Sequence, residues 1–417
     1  MEVFKFGGAS VKDANGVKNF AAVLRRLEKK DVLIVISAMG KMTNAFEDIV
    51  RSHMEGSRGL ENLLTDAEQF HQDIIEDLDM SLKEPLSERV HGYFEEISAF
   101  CASNSSMDYD YVYDQLVSRA EMISTTICSA YLSEKGWENH WLDARQCIKT
   151  NSDFRRAKVD WATTEKAIKE TVSDKGTTIT QGFIGSDPSG RTTTLGREGS
   201  DYTAGIFAYC LEAGTVSIFK DVPGVLNADP RVFSETTLIE RISYKEAIEM
   251  AFYGASVIHP KTLQPLQRKG IPLRVRSFLD PGLPGTYVGS ELDIVPLVPC
   301  FIVKKRQILI SVSDKEFHFV VEDDISDIFK LLHTFKIKVN LIQNSAISFS
   351  LCIEDNFNNF EPLLDTLRPK YKVKYNENLI LYTIRHFTEK VVEELEKDKV
   401  VLLKQRSRET VQIIVKG

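Results

Sequence analysis

Three stretches of this chain set charged side chains among small residues in a way suited to holding anions. Thr192 to Gly205 reads TTTLGREGSDYTAG. Gly196 and Gly199 permit positive φ and close approach of a ligand, and Ser200 or Asp201 can cap the helix that the apolar run Tyr202 to Leu211 predicts. A helix start favours a carboxylate or phosphate, and Arg197 adds a planar fork that suits a carboxylate. Lys5 stands beside Gly7-Gly8-Ala9-Ser10, where a strand, Val3 to Phe6, passes through glycines into a helix from about Val11 to Lys29. That layout receives phosphate, although no Walker loop is present. Lys220, Asp221 and Arg231 lie on loops after a strand, Val216 to Phe219, and would suit the ribose and phosphates of a nucleotide. A charged hairpin is the plainer reading of them.

Glu121 is the remaining acid of interest. It falls among Leu116, Val117, Ala120, Ile123 and Ile127 in a segment, Tyr111 to Lys135, with helical spacing. A glutamate on the inner face of a buried helix requires a ligand amine or a protein cation. Alternatively, Ser118 to Glu121 has capping-box spacing on an exposed face.

These residues need a scaffold that gathers strand ends. Val32 to Ile36 is an unbroken apolar run of the kind buried in parallel sheets, and Ser37 to Asn44 after it is another small-residue loop opening a helix. Two such loops predict one ligand edge at the carboxyl ends of parallel strands. Further strands are expected over Thr177 to Ile184 and Ile271 to Phe278, with a helix over Ser243 to Tyr253. Strands alternating with helices argue for an α/β fold with a mainly parallel, three-layer arrangement. Residues 51–110 read as a polar helical excursion, with a lid as one reading. Beyond Pro296 and Pro299 the units shorten to a βαββαβ order from Ile308 to Tyr375, followed by a partial second copy from Leu379 to Val415. This order is ferredoxin-like, and the second copy stops before its last helix.

The chain has 417 residues, 43% of them hydrophobic and 27% charged, which predicts a globular protein of more than one domain. A net charge of −8 gives no whole-molecule attraction to nucleic acid or anionic lipid, so an anionic ligand must be met locally. No leader or membrane segment is predicted, and six scattered cysteines without metal spacing read as reduced thiols. Those features point to the cytoplasm, with no resident metal site.

Taken together, Lys5-Phe6-Gly7-Gly8-Ala9-Ser10-Val11, Thr193 to Asp201, Lys220-Asp221-Val222-Pro223-Gly224 and Phe278 to Thr286 resemble the aspartate kinase family. The resemblance covers nearly the whole chain. It implies an amino-acid-kinase fold over residues 1–298, a first ACT domain over 299–376 and a second, truncated ACT domain over 377–417. It also implies transfer of phosphoryl from ATP, with Mg2+, to the side-chain carboxylate of L-aspartate, giving 4-phospho-L-aspartate on the route to lysine, threonine and methionine.

By the same resemblance, Lys5 neutralises the transferred group, Gly7 and Gly8 lend N–H groups, and Asp201 orients Lys5 and the substrate amine. Glu121 and Arg197 clamp the amino group and α-carboxylate of aspartate, Ser37, Thr43 and Ser200 lie near the reacting end, and Gly199 also binds the substrate. Lys220, Asp221, Arg231 and Ser256 match nucleotide positions. Gln343, Asn344 and Ser345 match an amino-acid effector site, and ACT pairing implies a homodimer. The chain departs from the family at Ala9 (usually Thr), Ala120 and Glu198 (usually Gly), Lys220 (usually Thr) and Ser256 (usually Lys). Two rivals remain: a catalytically silent amino-acid sensor, and another kinase of the same fold.

Overall fold

The computed structural model describes residues 1–417 except Leu82, Ser256, Val257 and Phe317. The site expectation at Ser256 therefore lies outside the described residues. In chain order the first part carries β1 (Glu2–Phe6), a 3-10 turn (Gly8–Val11), α1 (Ala14–Leu27), β2 (Val32–Ile36), α2 (Met42–Met54), α3 (Leu60–Asp77), α4 (Lys83–Ser103), α5 (Tyr109–Glu134) and β3 (Asn139–Leu142). Next come α6 (Ala144–Cys147), α7 (Trp161–Thr171), β4 (Thr177–Gln181), β5 (Ile184–Ser186), β6 (Thr192–Thr194), α8 (Gly199–Leu211) and β7 (Val216–Lys220). After these run β8 (Val225–Leu226), β9 (Leu238–Ile239), β10 (Arg241–Ser243), α9 (Tyr244–Tyr253), α10 (Pro260–Lys269), β11 (Leu273–Ser277) and β12 (Thr286–Gly289).

Eight of these strands form one sheet in the order β10-β12-β11-β7-β1-β2-β4-β3. Every neighbouring pair is parallel except β11 with β12. β1 is central, with β2 on one side and β7 on the other. The chain therefore leaves β1 in one direction and returns on its opposite flank, which makes the carboxyl end of β1 a topological switch point, the place where open α/β sheets receive ligands.

Alternation along β1 sets its chemistry. Phe4 and Phe6 join the apolar cluster with α1 to α5, so Lys5 faces the other side, where α8 packs on β1, β2 and β7. The helical excursion is part of that cluster: Ile74, Ile75, Val90, Phe94 and Ile97 are buried in it. These buried positions tie the excursion into the core of the first unit.

The chain divides into two compact units: Met1–Val225, Leu238–Ile248 and Ser256–Pro296 in one, and Leu226–Thr237, Glu249–Ala255 and Leu297–Gly417 in the other. The second holds β13 (Cys300–Asp314), α11 (Glu322–Thr334), β14 (Lys338–Asn344), β15 (Phe349–Glu354), α12 (Phe360–Leu367), β16 (Tyr371–Arg385), α13 (Glu389–Glu396), β17 (Val401–Arg406) and β18 (Thr410–Lys416). They form one antiparallel sheet, β14-β15-β13-β16-β18-β17.

Here the strands that open and close the first copy, and the one that opens the second, are parts of two long strands, β13 and β16. The second copy is also completed differently from its sequence order. Cys300 to Lys304, ahead of the first copy, pairs with Leu381 to Arg385 and fills the edge that the missing last strand would occupy. Register shifts around Gln307 mark the hand-over between the halves of β13.

Candidate active site

At the carboxyl end of β1, the Lys5 ammonium lies 2.7 Å from Asp201 Oδ1, and the Lys220 ammonium lies 3.2 Å from Asp201 Oδ2. Lys5 is 7% exposed and Asp201 1%. Burial alone would push the Asp201 carboxyl up, but the two ammoniums outweigh it and hold the group below the usual carboxylate range. The capping reading of Ser200 and Asp201 is overturned. Glu198 occupies the N-cap at φ +55° with no side-chain cap bond, and Asp201 points from the first turn into the sheet. Glu198 thus takes the left-handed conformation, which costs an L side chain energy.

Glu121 is buried in mid-helix, so the exposed capping-box alternative also fails. Its carboxyl is pushed up to about 8 by burial, against the pull of the Ala38 backbone and the Lys5 charge. Its Oε2 has no hydrogen-bond partner among the described residues. A buried acceptor left open beside a cation is a receptor for a donor, and an ammonium group is the donor that best matches it.

The two small-residue loops cross tightly. Gly40 N–H donates to Gly8 O at 3.0 Å, and Ser37 N–H to Phe6 O at 3.1 Å. A Cβ on Gly8 would stand 2.5 Å from Ala38 O, so this crossing demands glycine. Gly7 lies against the Lys5 ammonium, where a Cβ would be 3.3 Å from Nζ. Ser200 is brought against Gly182 so closely that a Cβ there would be 2.4 Å from Ser200 Cβ, and Gly199 packs under Phe183. Ser124 Oγ donates to Ser37 O at 2.7 Å, tying α5 to the second loop. Ser37 and Thr43 are half-buried.

The other expected residues are exposed or belong to the second unit. Arg197 and Asp221 are exposed. Arg231 belongs to the 226–237 segment of the second unit, where Asp229 engages its guanidinium. Gln343 and Asn344 end the exposed edge strand β14, and the Ser345 hydroxyl is bonded to Ser348.

Sequence reasoning missed Asp114. It is fully buried on α5 and accepts from Thr194 N–H at 2.8 Å, Thr194 Oγ at 2.6 Å and Arg155 N–H at 3.0 Å. Burial, against those bonds, pushes its carboxyl up to about 6. Asp114 thereby anchors β6, directly before the Leu195 to Gly199 turn. The signal was available: Asp114 and Glu121 are seven residues apart, two turns along one helix face.

Fold and site define a three-layer α/β protein with a buried group of charged side chains at the carboxyl ends of its central strands. The chain belongs to the amino acid kinase family, whose profile matches residues 1–277. Its relatives there are aspartokinases. It is 34% identical to the lysine-sensitive aspartokinase 3 of Escherichia coli over 362 residues, covering 84% of this chain and 78% of the relative. It is 30% identical to chloroplastic aspartokinase 1 of Arabidopsis thaliana over 419 residues, covering 97% and 69%. Among solved structures, E. coli aspartokinase III in complex with aspartate and ADP matches with a TM-score of 0.85 at 29% identity, over 100% of this chain and 96% of that one. The same enzyme with lysine and aspartate matches with a TM-score of 0.83 at 30% identity, again over 100% and 96%.

Proposed function

We propose that this chain is an aspartate kinase that uses ATP to make 4-phospho-L-aspartate. The observation that carries the reading is the buried group at the switch point: a lysine held on Asp201, beside a glutamate whose Oε2 awaits a donor. Glu121 would take the α-ammonium of aspartate, and Arg197, exposed on its turn, would close on the α-carboxylate. Ser37, Thr43, Gly199 and Ser200 would line the reacting end.

The reaction joins two anions. A carboxylate oxygen of aspartate bonds to the γ-phosphorus, the bond to the β,γ-bridging oxygen breaks, and its electron pair leaves with ADP. No proton has to move, because the attacking carboxylate is ionised at pH 7. Two unit negative charges ~4 Å apart repel by roughly 4 kcal/mol at an effective dielectric of ~20. Lys5, the glycine loop and the helix start of α8 supply the opposing field. Mg2+ would arrive on the phosphates as part of the MgATP substrate. Asp221 remains the proposed ribose or phosphate contact within the first unit.

The test is formation of aspartyl hydroxamate from MgATP, aspartate and hydroxylamine, with glutamate and acetylglutamate as competing acceptors. No product with aspartate, or an equal yield with another acceptor, rejects the reading. Regulation through Gln343, Asn344 and Ser345 belongs to the same reading, with lysine the first effector to try. So does a homodimer paired through the C-terminal sheet, which light scattering at micromolar concentration would refute if it returned the mass of one chain. No helix among the described residues is long and apolar enough to cross a membrane.

A further inference from the structure

Lys220 ends β7, one residue beyond Phe219, which is in register with Phe6 of β1. It therefore stands level with Gly7 at the switch point. Its ammonium and that of Lys5 take opposite oxygens of one carboxylate, at 3.2 Å and 2.7 Å. One ammonium is enough to neutralise Asp201, so the trio carries one positive charge in surplus. The side chains are only 9% (Lys5), 19% (Lys220) and 0% (Asp201) exposed, where an uncompensated cation is unfavourable. Glu121, whose carboxyl feels the Lys5 charge, would be engaged by the substrate ammonium. The surplus then awaits another anion.

We infer that Lys220 is a second catalytic cation, which leaves Asp201 Oδ2 for the transferring phosphoryl group when the nucleotide binds. This inference rests on the kinase reading above and changes the part given to Lys220, from general nucleotide contact to partner of the γ-phosphoryl. The exchange is a swap of one anionic partner for another, with no change of protonation. Of the three side chains in the trio, Lys220 is the most open to solvent and has the longer ion pair, so it is the one free to swap. Lys261 is directed elsewhere: its Nζ lies 3.4 Å from Leu195 O and 5.9 Å from the Tyr202 ring centre. It braces the Arg197 turn.

The experiment compares MgATP and MgADP binding by titration calorimetry in the wild type, Lys220→Met and Lys220→Arg, with turnover in the hydroxamate assay. A γ-phosphoryl contact predicts that Lys220→Met loses about tenfold or more in MgATP affinity while MgADP changes less than about threefold. Turnover should fall about a hundredfold with the KM for aspartate little changed, and Lys220→Arg should recover part of the ATP-over-ADP preference. Equal loss of both nucleotides would mean a ribose or diphosphate contact and overturn the inference. An unchanged ATP-to-ADP ratio with a raised KM for aspartate would mean that Lys220 only steadies Asp201, and would overturn it too. Lys220→Arg keeps the ion pair, so it answers the question if Lys220→Met fails to fold. A Lys220-dependent ATP preference in a protein that forms no aspartyl hydroxamate would uphold the inference and reject the aspartate acceptor instead.

Discussion

Asp201 Oδ1 accepts an ion pair from the Lys5 ammonium at 2.7 Å, joining the first turn of α8 to the middle of the sheet. Both groups are buried, and a second lysine holds the other oxygen. Asp201→Asn should therefore do more than remove a cap. Activity should fall at least about a thousandfold, because Lys5 loses its orienting partner. Stability should fall by about 3 kcal/mol, since two ammoniums are left against a neutral amide; simple loss of a cap would cost about 1 kcal/mol. The sign of the pH dependence follows from the lowered folded-state pKa. The contribution is present above the unfolded carboxylate range and is lost as pH falls through the depressed value. Chemical denaturation of both proteins between pH 6 and pH 3 should show the difference between them shrinking with acid.

Glu121 carries the opposite shift. Its folded pKa is raised to about 8 while an unfolded glutamate titrates near ~4.3, so its burial weakens the folded state progressively as pH rises from ~4 to ~8. Glu121→Gln should gain stability relative to the wild type over that range, and should raise the KM for aspartate about a hundredfold. Binding of the aspartate ammonium should ionise Glu121, so calorimetry at pH 7 in buffers of different ionisation enthalpy should find proton release approaching one per site. Glu121→Gln should abolish it; proton release that survives the substitution would remove Glu121 from the amine site.

The crossing at Gly8 admits no side chain. Gly8→Ala would place a Cβ 2.5 Å from Ala38 O and 3.0 Å from Gly40 O, both of them backbone atoms that cannot rotate away. A loss of about 1–3 kcal/mol is expected, together with a collapse of turnover as the two loops part. Thermal melts and the hydroxamate assay check both. An active, fully stable Gly8→Ala protein would show that the loops tolerate separation.

Asp114 is a positioning residue in this account. Asp114→Ala would leave the Thr194 and Arg155 N–H groups without their acceptor, at about 1–3 kcal/mol each. The KM for aspartate should rise about tenfold as the Arg197 turn loosens, with kcat changing only a few-fold. An unchanged KM alongside the stability loss would confine Asp114 to a structural role.

Much of this molecule is readable one segment at a time. Val32 to Ile36 is a strand because five apolar residues in a row can be buried only inside a sheet covered on both faces, and Gly7 and Gly8 announce a turn that lets backbone approach an anion. The alternation from helical to short ferredoxin-like units likewise marks the change of architecture near Pro296. Periodicity and turn chemistry are local, so the sequence alone determined these elements and the family they resemble. Partnership across the chain is not local. Whether Asp201 caps its own helix or holds Lys5 and Lys220 depends on which strand lies under α8. Whether Glu121 faces water or a buried cleft depends on what packs against α5. The second ferredoxin-like copy looks truncated until β13 is seen lending its first five residues to the missing edge. Those choices were made by the tertiary structure, because a buried charge is settled by the partner the fold brings to it and a sheet edge by whichever strand lies nearest in space.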